Sequence, residues 1–160
     1  MTDSPLMLKQ AIPYIRLYKG KVFVVKVGGR VVARRDLLDA LVEDVCLLQQ
    51  VGIRVVLVHG GGSQATELSK RLGLEPKLVD GRRVTDASTL EVAKMVYGGQ
   101  LNIDILATFR AHETPAVGVS GVDAGLIVAK KRAVGAVDYG FVGDIESVDP
   151  KVLSTLLDGG

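Results

Sequence analysis

The chain has 160 residues, 48% of them apolar and 24% charged, which fits one folded domain with a sizeable core and excludes a disordered chain. With 20 basic against 18 acidic side chains and 4% aromatics, it offers neither a positive field nor stacking platforms for nucleic acid, and no basic surface for an anionic membrane. No apolar run reaches membrane-spanning length and the N-terminus lacks a signal-peptide core, so a reducing cytoplasm is the expected compartment.

Leu6–Tyr18 predicts a short helix with Leu6, Ile12, Ile15 and Leu17 as apolar contacts, bent or restarted at Pro13. Lys21–Val27 (KVFVVKV) is a β-branched run of the kind buried on both faces of a parallel sheet, and Gly28-Gly29 ends it. Asp36 is placed to cap the next helix, in which Leu37, Leu38, Leu41, Val42, Val45 and Leu48 keep helical spacing. The single cysteine, Cys46, falls on that helix. With no second thiol or clustered histidine it makes neither a disulfide nor a zinc site, and a buried inert thiol is expected. Gly52 then closes the connection to a second buried strand, Arg54–Val58 (RVVLV).

His59–Gly62 forms a loop, and Ser63–Leu72 a helix stopped by Gly73. Ser88 and Glu91 have capping-box spacing, opening a helix that runs to Gly98-Gly99, with a further helix over Gln100–His112. Ala116–Val119 predicts a third core strand, Leu126–Lys130 and Phe141–Val148 two more, and Pro150 the first position of a helix through Leu157. This alternation predicts the α/β class, an open, mainly parallel sheet sandwiched by helices. The last residues, Leu156–Gly160 (LLDGG), end a helix where another strand would enter such a sheet, so a truncated chain is expected.

Chemistry concentrates at two glycine turns that follow buried strands, Lys26-Val27-Gly28-Gly29 and His59-Gly60-Gly61-Gly62. Ligands of open α/β sheets bind beyond the carboxyl ends of strands. Glycines there let backbone N–H groups approach an anion, and the helix near Ser63 adds its positive dipole end. The plainer alternative is that the glycines only make tight turns. Lys26 interrupts an apolar strand at its carboxyl end; it either reaches the same anion or snorkels from an edge strand. Arg82 and Arg83 each carry a planar fork suited to a carboxylate, and adjacent strand positions face opposite ways, so one of the two faces the site. The chain has no GxxxxGK[ST] and no GxGxxG after a strand, which excludes a Walker P-loop and weakens a dinucleotide site. The HGGG run matches an esterase oxyanion motif, but Gly118–Val122 (GVSGV) is not the nucleophile elbow that chemistry needs, and His59 has no nucleophile beside it.

VVKVGG (Val24–Gly29), VHGGGSQ (Val58–Gln64), DGRRVTD (Asp80–Asp86), LEVAKMVYGGQLN (Leu90–Asn102), GVSGVDAG (Gly118–Gly125) and GFVGDIESVDP (Gly140–Pro150) follow one another in this chain. In order and spacing they resemble the amino-acid kinase family, and within it the acetylglutamate kinases, from about Leu8 onward. The resemblance implies phosphoryl transfer from ATP, with Mg2+, to the side-chain carboxylate of N-acetyl-L-glutamate in arginine biosynthesis. It implies Lys26 at the transferring phosphoryl group, Gly28 and Gly29 against the nucleotide phosphates, Gly61 and Gly62 on the acylated amino acid, and Arg83 rather than Arg82 on the substrate carboxylate. No protein metal ligand is implied.

The same resemblance makes residues 1–20 an N-terminal helix extension and 21–160 the amino-acid-substrate-binding domain, truncated before the ATP-binding half. Leu8–Tyr18 (LKQAIPYIRLY) is similar to the helix of arginine-inhibited members. This implies an allosteric L-arginine site that includes Tyr14, and a homo-oligomer, dimer or hexamer. Ser63 stands where proline is common, and Ser120–Gly125 (SGVDAG) varies the usual turn. The family's second lysine, orienting aspartate, substrate asparagines and most of its adenine pocket lie beyond Gly160. The alternative is a noncatalytic amino-acid-binding or regulatory module; Lys26 favours kinase ancestry, because an amino-acid sensor needs no phosphoryl-facing lysine.

Overall fold

A computed structural model describes residues 4–159, and the side chains of Ser4, Pro5, Leu6 and Leu8 lie outside what it describes. The first element, α1 (Ser4–Tyr18), continues through Pro13 rather than restarting there. It hands the chain to β1 (Val22–Val27), which pairs in parallel with β2 (Arg54–His59), Val22 opposite Arg54 through Val27 opposite His59. Between them come a single turn, α2 (Gly29–Val32), and the long α3 (Arg35–Gln50).

Partners in a parallel register share a face, and faces alternate along the strand. Val25, Val27, Val55 and Leu57 therefore point one way, into a core with Leu38, Val42, Val45 and Cys46 of α3. Those four helix positions fall on one stripe, and Val42 is 0% exposed, a burial worth about 1.5–3 kcal/mol. The other face is open: Val24 is 68% exposed and Val22 and Val58 44% each. β1 is thus buried on one face only, which corrects the expectation from its β-branched run that both faces would be covered.

After α4 (Gly62–Arg71) comes a small hairpin, β3 (Leu78–Val79) and β4 (Arg82–Arg83), turning at Asp80-Gly81. Both turn residues have positive φ, 49° and 74°, the geometry that matches the twist of a two-residue hairpin. α5 (Ala87–Ala93) is capped by Asp86, whose carboxylate accepts from Thr89 N–H at 2.8 Å. Ser88, expected to cap, instead donates its hydroxyl to Asp86 at 2.8 Å, because the aspartate already stands at the reach of the free N–H. At α3, Asp36 sits in the first turn and pairs with Arg34 rather than capping.

No break occurs at Gly98-Gly99. The helix passes from α5 through a π-helical stretch, Lys94–Leu101, into α6 (Asn102–Ala111). Val96 and Leu101 are almost fully buried there, and this packing offsets the helical cost of two glycines. Ala116–Val119 forms no strand. A cavity of about 310 Å3 lies between that segment, β2, α6 and the last helix, so the segment does not reach the free edge of β2. A 3-10 turn (Asp123–Gly125) leads to an antiparallel pair, β5 (Ile127–Lys131) and β6 (Gly143–Val148), and α7 (Lys151–Asp158) follows. The class is α/β, with helices packed on a parallel pair as expected, and antiparallel hairpins complete the described residues. No helix among them is long and apolar enough to cross a membrane.

Candidate functional site

The two glycine turns meet at the carboxyl ends of β1 and β2, where the parallel register places them side by side. Gly60 N–H donates to Val27 C=O at 3.0 Å, tying one turn to the other. A second tie is a side chain. Gln64, in the first turn of α4, donates from Nε2 to Gly29 C=O at 2.7 Å, while its Oε1 accepts from Ser63 at 2.8 Å. A Cβ on Gly29 would lie 2.8 Å from Gln64 Oε1 and 3.3 Å from Gly61 Cα. A side chain at Gly29 would push Gln64 aside and press on the backbone of Gly61.

The four candidate glycines divide into two kinds. Gly29 and Gly61 are locked: a Cβ on Gly61 would overlap Leu101 Cδ1 and lie 2.7 Å from Tyr97 Cε1. Gly28 and Gly62 have nothing within 4 Å of where a Cβ would stand. The open pair borders the N-terminus of α4, whose first N–H groups have no intrahelical acceptor and whose dipole favours an anion.

Arg83 joins this group from the β3–β4 hairpin. Its Nη2 donates to Gly62 C=O at 2.9 Å and to Thr66 Oγ1 at 2.6 Å, and Thr66 in turn donates to Gly62 C=O at 2.9 Å. Its Nη1 is buried without a hydrogen-bond partner. A buried guanidinium donor left unpaired is costly, and an incoming carboxylate oxygen would relieve that cost. Arg82, one residue earlier, is exposed on the opposite face. The structure therefore brings Gly28, Gly29, Gly61, Gly62 and Arg83 into one cluster.

Lys26 stands two residues before the first turn, on the open face of β1 beside Val58. It is exposed and makes no ion pair among the described residues, so neither burial nor snorkelling is needed to explain it. Tyr14 is elsewhere. It is 65% exposed on α1, which enters β1 at its other end, where Gly20 N–H bonds Gly52 C=O. A six-residue strand, roughly 17 Å, separates that end from the glycine turns. No group of three or more His, Cys, Asp or Glu among the described residues is arranged to hold a metal.

Sequence reasoning did not single out Gln64, Thr66 or Tyr97. Gln64 was legible only as the residue following a Gly-Gly-Gly-Ser run. Tyr97 had one signal, an aromatic four residues before Leu101 in a glycine-bearing helix. The electrostatics of the turns around the cluster are those of backbone capping. Hydrogen bonds from Thr89 and Ser88 hold Asp86 at about 2, and the Ser120 N–H and hydroxyl lower Asp123.

The amino acid kinase family profile matches residues 21–160. The chain is 46% identical to an acetylglutamate kinase of Symbiobacterium thermophilum, an alignment covering 99% of this chain and 56% of that protein. It is 42% identical to one of Methanoculleus marisnigri, covering 94% and 55%. The chain thus spans about half the length of the curated relatives it matches. Among solved structures, it superposes on an N-acetylglutamate synthase of Neisseria gonorrhoeae complexed with coenzyme A and N-acetyl-glutamate. That likeness has a TM-score of 0.82 and 28% identity, and covers 99% of this chain and 36% of the synthase.

Proposed function

The chain belongs to the amino acid kinase family, and on that premise we propose that it is the amino-acid-binding half of an ATP-dependent kinase acting on the side-chain carboxylate of N-acetyl-L-glutamate, in cytoplasmic arginine biosynthesis. The observation that carries this reading is Arg83, one arm fixed by Gly62 and Thr66 and the other buried and unpaired. In that role the free Nη1 of Arg83 donates to the substrate's carboxylate while Nη2 stays fixed on Gly62 and Thr66, and the N–H groups at Gly61 and Gly62 hold the rest of the molecule.

The first turn fits a phosphate chain, since Gly28 leaves its backbone approachable and Lys26 extends freely from the same end of β1. A substrate carboxylate oxygen bonds to the γ-phosphorus of ATP as the bond to the departing ADP oxygen breaks. Lys26 offsets the charge on the transferring group, and the glycine backbone orients it. Mg2+ would be carried by the phosphate oxygens of ATP and neutralise them, because the residues here supply backbone donors rather than a carboxylate cage. Residues 21–160 are then the substrate-binding domain and α1 an extension. Its Met7, Tyr14 and Leu17, 62–65% exposed, are the surface proposed to pair subunits and to take L-arginine.

Calorimetric titration of the chain with N-acetyl-L-glutamate tests the reading. Arg83→Ala is expected to weaken binding at least tenfold; equal binding by both proteins overturns it. A second reading is a noncatalytic amino-acid-binding module; the superposition on a synthase complexed with N-acetyl-glutamate supports the ligand common to both readings. Lys26 separates the two. Weaker binding of a non-hydrolysable ATP analogue by Lys26→Ala supports the kinase, and binding of N-acetyl-L-glutamate with none of the analogue supports the module.

A further inference from the structure

An eight-residue π-helix, Lys94–Leu101, lies directly against the glycine turn that opens α4. Such elements are uncommon and cluster at functional sites. Gly98 and Gly99 weaken this one, yet nothing lies within 4 Å of where a Cβ on either would stand. Crowding does not account for them. What the element achieves is a double contact, Tyr97 and Leu101 both pressing on Gly61 from four residues apart.

These two side chains differ in burial. Leu101, 3% exposed, belongs to the core, whereas Tyr97 is 36% exposed. The Cδ1–Cε1 edge of its ring lies on Gly61, so close that a Cβ there would stand 2.9 and 2.7 Å from those atoms. Its hydroxyl forms no hydrogen bond among the described residues. A rigid ring is thus fixed at one edge and open at the other, beside the backbone that the functional reading gives to the ligand.

We propose that Tyr97 is a specificity-determining residue of the site at Gly61 and Gly62, its ring being the wall that limits the acyl group of a bound N-acylated acidic amino acid. This rests on the functional reading above. A wall of this kind acts on size: it touches a short acyl chain and obstructs a longer one. Shortening the side chain loses the first contact and admits the second ligand.

The test compares N-acetyl-L-glutamate with N-butyryl-L-glutamate by calorimetry on the chain, its Tyr97→Leu and Tyr97→Phe variants, and Arg83→Ala. The chain is expected to prefer the acetyl ligand, with Tyr97→Leu moving the ratio of affinities about tenfold toward the butyryl ligand. Tyr97→Phe, which keeps the ring, should leave the ratio in place. If Tyr97→Leu keeps the original ratio while Arg83→Ala abolishes binding, the wall is refuted and the functional reading stands. If the chain binds neither ligand, or Arg83→Ala binds as the parent does, the functional reading fails and takes the wall with it. A second readout does not depend on how Tyr97→Leu folds. In the unaltered chain, the ring resonances of Tyr97 should shift as N-acetyl-L-glutamate saturates while those of Tyr14 and Tyr18 stay; an unmoved Tyr97 overturns the proposal.

Discussion

Around Gly29 and Gly61 nearly every neighbour is in contact, whereas the β5–β6 hairpin carries its apolar side chains on the surface. At the glycine turns, α4, the π-helix and the two parallel strands interlock, and Gln64 crosses between the turns. At the hairpin, Ile145 is 65% exposed and Val148 55%. It is held by its own ladder, by exposed ion pairs such as Lys130–Glu146 at 3.4 Å, and by bonds linking Thr85 to Tyr139 and Phe141. Exposed pairs contribute little. The difference teaches that the candidate site is built on the rigid end of the molecule, and that the hairpin is the part expected to open first.

Three changes would break or sharpen that contrast. The largest concerns Gly61. Gly61→Ala should destabilise the chain by about 2–3 kcal/mol in urea unfolding, because the added methyl would run into the ring of Tyr97 and into Leu101, which is held in the core. Gly62→Ala, one residue on, meets nothing and should be nearly neutral. Similar costs for the two would dissolve the idea of an interlocked turn.

A smaller effect, of opposite sign, is expected beside the hairpin. Ala124 holds φ at 50° just before β5, a left-handed conformation that a side chain resists. Ala124→Gly should therefore stabilise by about 1 kcal/mol and slow amide exchange in β5 and β6. No gain in protection there would mean that strain at this turn does not set the hairpin's stability.

The smallest effect lies at the seam between the two regions, where Asp86 caps α5 directly after Thr85. Hydrogen bonds from Thr89, then Ser88, hold its carboxyl at about 2, below the usual 3.8. The folded chain thus keeps the carboxylate more readily than the unfolded chain does. This contribution is complete above the ordinary range and is lost as pH falls from there through about 2. Amide exchange of α5 should accelerate across that window, and Asp86→Asn should flatten the change; identical acid profiles would remove the cap from the account.

Much of this was legible from residue order. The β-branched runs placed β1 and β2, and the motifs named the glycines and Arg83, whereas the short hairpin at Asp80-Gly81 was not foreseen. What failed has physical causes. The Ser88–Glu91 box lost to Asp86 because capping is decided by which oxygen reaches a free N–H. The stop at Gly98-Gly99 lost because buried Val96 and Leu101 carry the helix through. Ala116–Val119 has the composition of a strand, but a strand needs a paired edge, and a cavity stands where its partner would be.

The sequence by itself determined the α/β class, the turns, and which residues could meet an anion, since these depend on local backbone freedom, side-chain periodicity and fixed chemistry. Only the tertiary structure decided that Arg83 and not Arg82 reaches α4, that Gly29 and Gly61 are locked while Gly28 and Gly62 are open, and that Gln64 and Tyr97 lie against the glycine turns. Those facts are distances between elements far apart in the chain. They are set by how the π-helix, α4 and the parallel pair pack, which no local pattern encodes.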